Sequence, residues 1–213
     1  MKLNKNTMLM YVVTDRTWLG NNSLAEQVEE AIKAGATFVQ LREKDATHDE
    51  FLQLAKEIKK ITDKYNVPFV INDNIDIAVE VDADGVHIGQ NDEELLSARK
   101  RLGENKIIGV STQTVEQAKL AEKNGADYIG VGAAFSTSTK NDADTLPHQQ
   151  FVDVCSSVSI PVVAIGGIDK DNIMKLKETH VDGVAVISAI FAKKDIYKAT
   201  SELLDLSKQM VND

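Results

Sequence analysis

The sequence predicts an α/β protein folded as a single-domain (β/α)8 TIM barrel over residues 1–213. Short apolar runs alternate with longer amphipathic segments, and the alternation occurs eight times. Most runs are continuous and rich in Val and Ile, as expected of parallel strands covered on both faces. A weak internal repeat spans two such units, so the chain reads as four quarter-barrels. A doubly wound sheet is the structural alternative, but it does not usually need eight such regular units.

Taken in order, the first run is Leu9–Thr14, and Ser23-x-x-Glu26 opens the segment after it. That spacing is a capping box: the hydroxyl takes an orphan backbone N–H and the carboxylate reaches back. Gly35 supplies the left-handed stop at the far end. The second run, Thr37–Leu41, precedes a second box, Thr47-x-x-Glu50. Pro68–Ile71 and Gly85–Ile88 follow, and the segment after the fourth run ends at Gly103. Lys106–Val110 leads into a third box, Thr114-x-x-Gln117, whose helix stops at Gly125. Tyr128–Val131 is followed by the longest exit loop, residues 133–146; Pro161–Ile165 and Gly183–Ile187 complete the set. The repeat is carried by Ala34-Gly-Ala-Thr-Phe-Val-Gln, Val81-Asp-Ala-Asp-Gly-Val-His-Ile, Asn124-Gly-Ala-Asp-Tyr-Ile-Gly-Val and His180-Val-Asp-Gly-Val-Ala-Val-Ile, each entering an even-numbered run.

Composition narrows the partners. With 24 Lys plus Arg against 33 Asp plus Glu, the net charge is −9, and basic runs reach at most three residues, Arg99 to Arg101. Nucleic-acid binding calls for a basic face, so no nucleic-acid partner is expected. The apolar run Met8–Val13 is far shorter than the roughly 20 residues of a membrane span, and Asp15 follows too soon for a signal-peptide core. The lone Cys155 fits a reducing, cytoplasmic compartment. No pattern fixes the oligomeric state, and a homo-oligomer stays open.

The unusual polar residues follow the runs rather than precede them. They are Thr14-Asp15, Gln40 to Lys44, Asn72-Asp73, Gln90 to Asp92, Ser111, Thr137 to Lys140, Gly166-Gly167 and Ile187-Ser188. In a barrel these exits converge on one face, where sites of this fold lie. Asp73 and Asp92 follow consecutive strands and suit Mg²⁺, although a strand end and a first helical turn would equally account for them. Arg42 and Lys44 alternate along a strand exit and should project the same way. Lys140 follows the hydroxyls Thr137-Ser138-Thr139, a donor-rich cradle for phosphate. Three cations plus Mg²⁺, less two carboxylates, leave roughly +3, near the charge of a pyrophosphate. Gly166-Gly167 and Ile187-Ser188 stand where barrels commonly bind a second phosphate; a tight turn needing positive φ explains the glycines as well. His87 lies mid-strand and reads as a packed interior histidine, while His48, His148 and His180 fall at helix starts or loops. Arg16 and Trp18 either cover a ligand or pack the rim.

Tyr-Val-Val-Thr-Asp (11–15), Gln-Leu-Arg-Glu-Lys (40–44), Ile-Asn-Asp (71–73), Asp-Gly-Val-His-Ile-Gly-Gln-x-Asp (84–92), Gly-Val-Ser (109–111), Gly-Val-Gly-x-x-Phe-x-Thr-x-Thr-Lys (130–140), Ala-Ile-Gly-Gly-Ile (164–168) and Val-Ile-Ser (186–188) together resemble the thiamine phosphate synthase family. The match runs in order along nearly the whole chain. The resemblance implies an alkyl transfer that joins 4-amino-2-methyl-5-(diphosphooxymethyl)pyrimidine to 4-methyl-5-(2-phosphooxyethyl)thiazole, with release of pyrophosphate. It implies that Gln40, Leu41, Arg42, Glu43, Lys44, Asn72, Ser111 and Lys140 bind the pyrimidine diphosphate. Arg42, Lys44, Ser111 and Lys140 would be catalytic. Asp73 and Asp92 would hold one Mg²⁺, and Thr137, Ser138, Thr139, Gly167, Ile187 and Ser188 the thiazole phosphate.

Departure of pyrophosphate from a pyrimidinylmethyl carbon needs cations and exclusion of water rather than a protein nucleophile. The 133–146 loop is the expected lid. Family members often carry Pro where Ala133 and Ser136 stand, and Arg at Asn74, departures that bear on loop rigidity. A related thiazole tautomerase and a non-catalytic phosphate-binding barrel are the rival readings. The joint presence of Arg42, Lys44, Asp73, Asp92 and Lys140 argues against both.

Overall fold

The computed structural model describes residues 3–90, 95–136 and 145–211. Among them, eight parallel strands close a barrel in sequence order: β1 (Met10–Val13), β2 (Phe38–Leu41), β3 (Phe69–Asn72), β4 (Gly85–Ile88), β5 (Ile107–Thr112), β6 (Tyr128–Val131), β7 (Val162–Ile165) and β8 (Gly183–Val186). The β8–β1 pairing, Tyr11 beside Ala185, completes the closure. The helices outside it are α1 (Leu24–Lys33), α2 (His48–Tyr65), α3 (Ile75–Glu80), α4 (Leu95–Leu102), α5 (Val115–Lys123), α6 (His148–Ser156), α7 (Ser188–Phe191) and α8 (Ile196–Val211). Each strand lies within two residues of an apolar run. The regular βα pattern lapses once: a single 3₁₀ turn, Ile173–Leu176, stands between β7 and β8.

Side chains alternate between two apolar layers, as the strand period of two requires. Phe38, Val70, Ile107, Tyr128 and Val163 fill the barrel, while Val39, Leu41, Ile71, Ile108 and Ile129 pack outward against the helices. Both layers are close to fully buried, which explains why the runs are continuous rather than alternating in polarity. Burying one such side chain contributes roughly 1.5–3 kcal/mol. All three capping boxes form, at Ser23/Glu26, Thr47/Glu50 and Thr114/Gln117. Among the described residues, no helix is long and apolar enough to cross a membrane.

The quarter repeat has a physical cause at the end of the barrel where strands begin. Before each even strand stands a residue whose side-chain oxygen accepts a backbone N–H from the start of the odd strand beside it. Thr37 Oγ1 takes Met10 N at 2.9 Å, and Asp84 Oδ2 takes Phe69 N at 2.9 Å. Asp127 Oδ2 takes Ile108 N at 2.8 Å, and Asp182 Oδ2 takes Val162 N at 2.9 Å. Arg99 reinforces this end, donating to Asp127 Oδ2 at 2.6 Å and to the Gly125 carbonyl at 2.9 Å. The short turn Lys5–Met8 lies beside β1, β7 and β8 and buries Met8 completely within the barrel layer.

Two boundaries differ from the sequence expectation in a way that matters for the site. β3 extends to Asn72, paired with His87, and β5 extends to Thr112, with Ser111 paired to Gly130. Asn72 and Ser111 therefore sit within strands, where ladder pairing fixes their positions, instead of in the loops beyond.

Candidate functional site

The end where strands finish gathers most of the described candidate residues. Gln40, on β2, points into the barrel and is 4% exposed, and its Nε2 donates to Tyr11 Oη at 2.5 Å. Leu41 points the other way, fully buried in the helix-facing layer, so it can offer a ligand only its backbone. Arg42 follows directly. Its amide donates to Thr14 Oγ1 at 3.0 Å, and its guanidinium makes no hydrogen bond or ion pair among the described residues.

The expectation that Arg42 and Lys44 share one strand face needs correction. β2 ends at Leu41, and Lys44 lies on an exposed bend, so strand alternation does not extend to it. Glu43 is also committed locally: Arg16 Nε and Nη2 each reach its Oε2 at 2.8 Å. Its Oε1 is buried without a hydrogen-bond partner among the described residues, and burial raises the Glu43 pKa while Arg16 opposes the rise. Of the two readings of Arg16, the structure favours rim packing: it clamps the first exit loop onto the second.

On β3, Asn72 Nδ2 donates to Asp73 Oδ2 at 2.5 Å. Asp73 is exposed and left-handed at φ 62, with its amide donating to the His87 carbonyl at 2.9 Å. That turn presents a hard carboxylate oxygen at the rim. Ser111, half-buried on β5, bonds through Oγ to His87 Nε2 at 2.9 Å, and its carbonyl accepts from Gln90 Nε2 at 2.7 Å.

The β7 and β8 exits lie side by side, because Ile165 pairs with Ala185. Gly166 and Gly167 have φ of 101 and 64, and both press on the β6 exit loop. A Cβ on Gly167 would fall 2.3 Å from the Ser136 carbonyl oxygen, so both demands on this glycine, conformation and space, are real. Asn172 Nδ2 holds the Gly167 carbonyl at 2.8 Å. Ile187 precedes α7 and Ser188 begins it, with no side-chain cap of that helix. The 133–146 loop is pinned at its base by Leu146 N to Ala133 O at 2.9 Å. Asp92, Thr137, Ser138, Thr139 and Lys140 lie outside the described residues.

The sequence reading missed the floor of this site. Tyr11 and Tyr128 read only as strand residues, yet their hydroxyls meet at 2.8 Å inside the barrel, and Tyr128 Oη reaches His87 Nδ1 at 2.9 Å. Burial raises the pKa of both phenols, so both stay protonated. The available signal was Gly109 and Gly130, glycines inside strands, which mark close approach of another group.

The family model for thiamine monophosphate synthase matches residues 10–190 of the chain. A thiamine-phosphate synthase of Clostridium tetani is 51% identical over 201 residues, covering 94% of this chain and 96% of that protein. One from Ruminiclostridium cellulolyticum is 52% identical over 197 residues, covering 92% and 94%. Among solved structures, a thiamine phosphate pyrophosphorylase from Pyrococcus furiosus superposes with a TM-score of 0.89 at 40% identity, covering 98% of this chain and 99% of that one.

Proposed function

The chain belongs to the thiamine monophosphate synthase family, and we propose that it forms thiamine phosphate by transferring a pyrimidinylmethyl group from its diphosphate to the thiazole phosphate. One observation from the molecule itself supports this reading most. The exit face carries a guanidinium without a hydrogen-bond or ion-pair partner among the described residues, Arg42, and an exposed carboxylate, Asp73, at the end of a barrel with a buried polar floor. That is the equipment for binding a polyanion through a metal and a heterocycle through hydrogen bonds.

In the proposed reaction, the bond between the methylene carbon and the diphosphate oxygen breaks, and the electron pair leaves with pyrophosphate. The lone pair of the thiazole nitrogen then forms the new carbon–nitrogen bond. No proton transfer is required, in keeping with a site whose buried phenols are held protonated. Arg42, Lys44 and Lys140 stabilise the leaving anion; Ser111 and Gln40 orient the ring, with Asn72 beside them. Gly167, Ile187 and Ser188, with Thr137 to Thr139, hold the thiazole phosphate. The rim oxygen of Asp73 fits Mg²⁺, a hard ion that keeps waters and takes phosphate oxygens, and Asp92 would complete the pair. A metal held by these carboxylates would supply positive charge beside the leaving pyrophosphate. The loop 133–146 closes over the site and excludes water. The lone, buried Cys155 and the acidic charge fit a cytoplasmic enzyme without nucleic-acid or membrane partners.

Chromatography of a reaction holding both substrates and Mg²⁺ tests the assignment. Thiamine phosphate should appear in step with loss of the pyrimidine diphosphate. Isomerisation of the thiazole carboxylate phosphate, with no thiamine phosphate, would instead indicate the tautomerase.

A further inference from the structure

Five side chains from five strands form one unbroken hydrogen-bonded chain across the barrel interior: Gln40, Tyr11, Tyr128, His87 and Ser111. Its two ends are the residues assigned above to orienting the pyrimidine. Its middle is made possible by two glycines that face inward where barrels usually place branched residues. A Cβ on Gly109 would fall 2.0 Å from Tyr128 Cζ, inside the ring's own space. One on Gly130 would fall 3.3 Å from His87 Cε1. His87, Gly109 and Tyr128 are register neighbours across β4, β5 and β6, so the tyrosine ring crosses the glycine to reach the histidine. A barrel that needed only packing would be filled with aliphatic side chains, which carry no polar atoms to satisfy.

Each phenol carries one proton, so the chain can run in only one sense at a time. Gln40 Nε2 donates to Tyr11 Oη. Tyr11 must therefore donate to Tyr128, and Tyr128 to His87 Nδ1. His87 is then the neutral tautomer with its proton on Nε2, which donates to Ser111 Oγ. Two groups are left over, one at each end. Gln40 Oε1, which accepts nothing from the described residues, is a free acceptor, and the Ser111 hydroxyl proton is a free donor.

We propose that this chain is the specificity device for the pyrimidine: it fixes Gln40 as a carbonyl acceptor and Ser111 as a hydroxyl donor, matching a 4-aminopyrimidine and rejecting its 4-oxo counterpart at both ends. The inference rests on the function proposed above. The exocyclic amine donates to Gln40 and a ring nitrogen accepts from Ser111. A 4-oxo ring carries an acceptor in place of the amine and a proton on a ring nitrogen, so the Gln40 contact becomes repulsive and the Ser111 proton loses its acceptor. Turning Gln40 into a donor at that position would require rotating its amide and, with it, reversing the sense of the chain through both phenols to His87. A partner misplaced against a buried polar group is the error that hydrogen-bonding sites reject most strongly.

The test measures equilibrium binding of the 4-amino and 4-oxo pyrimidine diphosphates, without thiazole phosphate, to the wild type, Tyr128→Phe and Tyr11→Phe. Binding is the readout because the oxo ring would react slowly for reasons of its own electronics. Each substitution keeps the ring that fills the barrel and removes only the oxygen that carries the chain. The wild type should prefer the amino ring by at least about 10²-fold, and each variant should reduce that preference to less than tenfold. The KM for the thiazole phosphate should not move in either. Adding Tyr128→Phe to Ser111→Ala should reduce the preference further, because the chain also sets the Gln40 end. A preference retained in both folded variants, with only melting temperature lowered, would show a packing role and overturn the proposal. A wild type that forms no thiamine phosphate would sink the functional reading, whereas normal turnover with an unmoved preference defeats the chain alone.

Discussion

The two ends of the barrel use the same residue types for opposite purposes. Where strands begin, aspartates are occupied: Asp84, Asp127 and Asp182 each accept a backbone N–H from the start of a neighbouring strand, and Arg99 grips Asp127 together with nearby carbonyls. Where strands finish, Asp73 is exposed at the rim and Arg42 has no side-chain partner among the described residues. The beginning end satisfies its polar groups internally and contributes stability. The finishing end leaves the Arg42 guanidinium, among the described residues, for a ligand, and an unpaired charge of that kind adds nothing to stability while it waits. The difference teaches that a polar residue in this fold is read by the strand end it occupies.

Substitutions at the two ends should therefore separate activity from stability. The largest effect belongs to the finishing end. Arg42→Ala, and likewise Lys140→Ala, should lower turnover by about 10²-fold or more, on the order of 3 kcal/mol of transition-state stabilisation. Steady-state rates and thermal melting report the two properties together, and the melting temperature should stay near that of the wild type. Near-normal rates in both variants would remove the leaving-group role.

Asp127→Ala is the mirror experiment. It orphans Ile108 N and removes one bond of Arg99, whose Nη2 keeps the Gly125 carbonyl, and should cost about 2 kcal/mol of folding stability in urea titrations. Turnover of the folded variant should be unchanged, so a loss of rate without a loss of stability would break the distinction between the ends. Asp73→Ala should move activation by Mg²⁺ to roughly tenfold higher concentration. A metal titration that superimposes on the wild type would count against its assignment as a ligand.

The smallest expected effect lies on the outer helices, away from either end. Lys64, Tyr65 and Lys33 lower the Glu29 pKa from 4.5 to about 2. A carboxyl depressed on folding contributes stability above its unfolded pKa, and that contribution disappears as the pH falls from 4.5 towards 2. In Lys64→Met the urea midpoint should fall less steeply over that window. Parallel curves for the two proteins would show that the exposed pair contributes nothing measurable.

Much of this was legible in the sequence because it is local. Capping boxes at Ser23, Thr47 and Thr114 and the positive-φ stops at Gly35, Gly103 and Gly125 depend on residues within one helical turn, and all six form. The strands were visible as apolar runs because both faces are buried. Less legible was whatever depends on a partner far along the chain. The Arg16–Glu43 clamp joins residues 27 apart, and the two phenols that meet in the barrel are 117 apart. Residue spacing aligns Lys44 with Arg42 only if the strand continues past Leu41, where it ends. His87 read as a packed histidine and is buried at 8% exposure, but sequence could not show that its two nitrogens join Tyr128 to Ser111.

Pyrophosphate release by the purified protein, followed with each substrate alone, with both, and with both plus a chelator, tests the central claim most directly. Release is expected only when the pyrimidine diphosphate, the thiazole phosphate and Mg²⁺ are all present, with one thiamine phosphate formed for each pyrophosphate. A folded protein that releases no pyrophosphate under those conditions, or that releases it equally well without the thiazole phosphate, would contradict it.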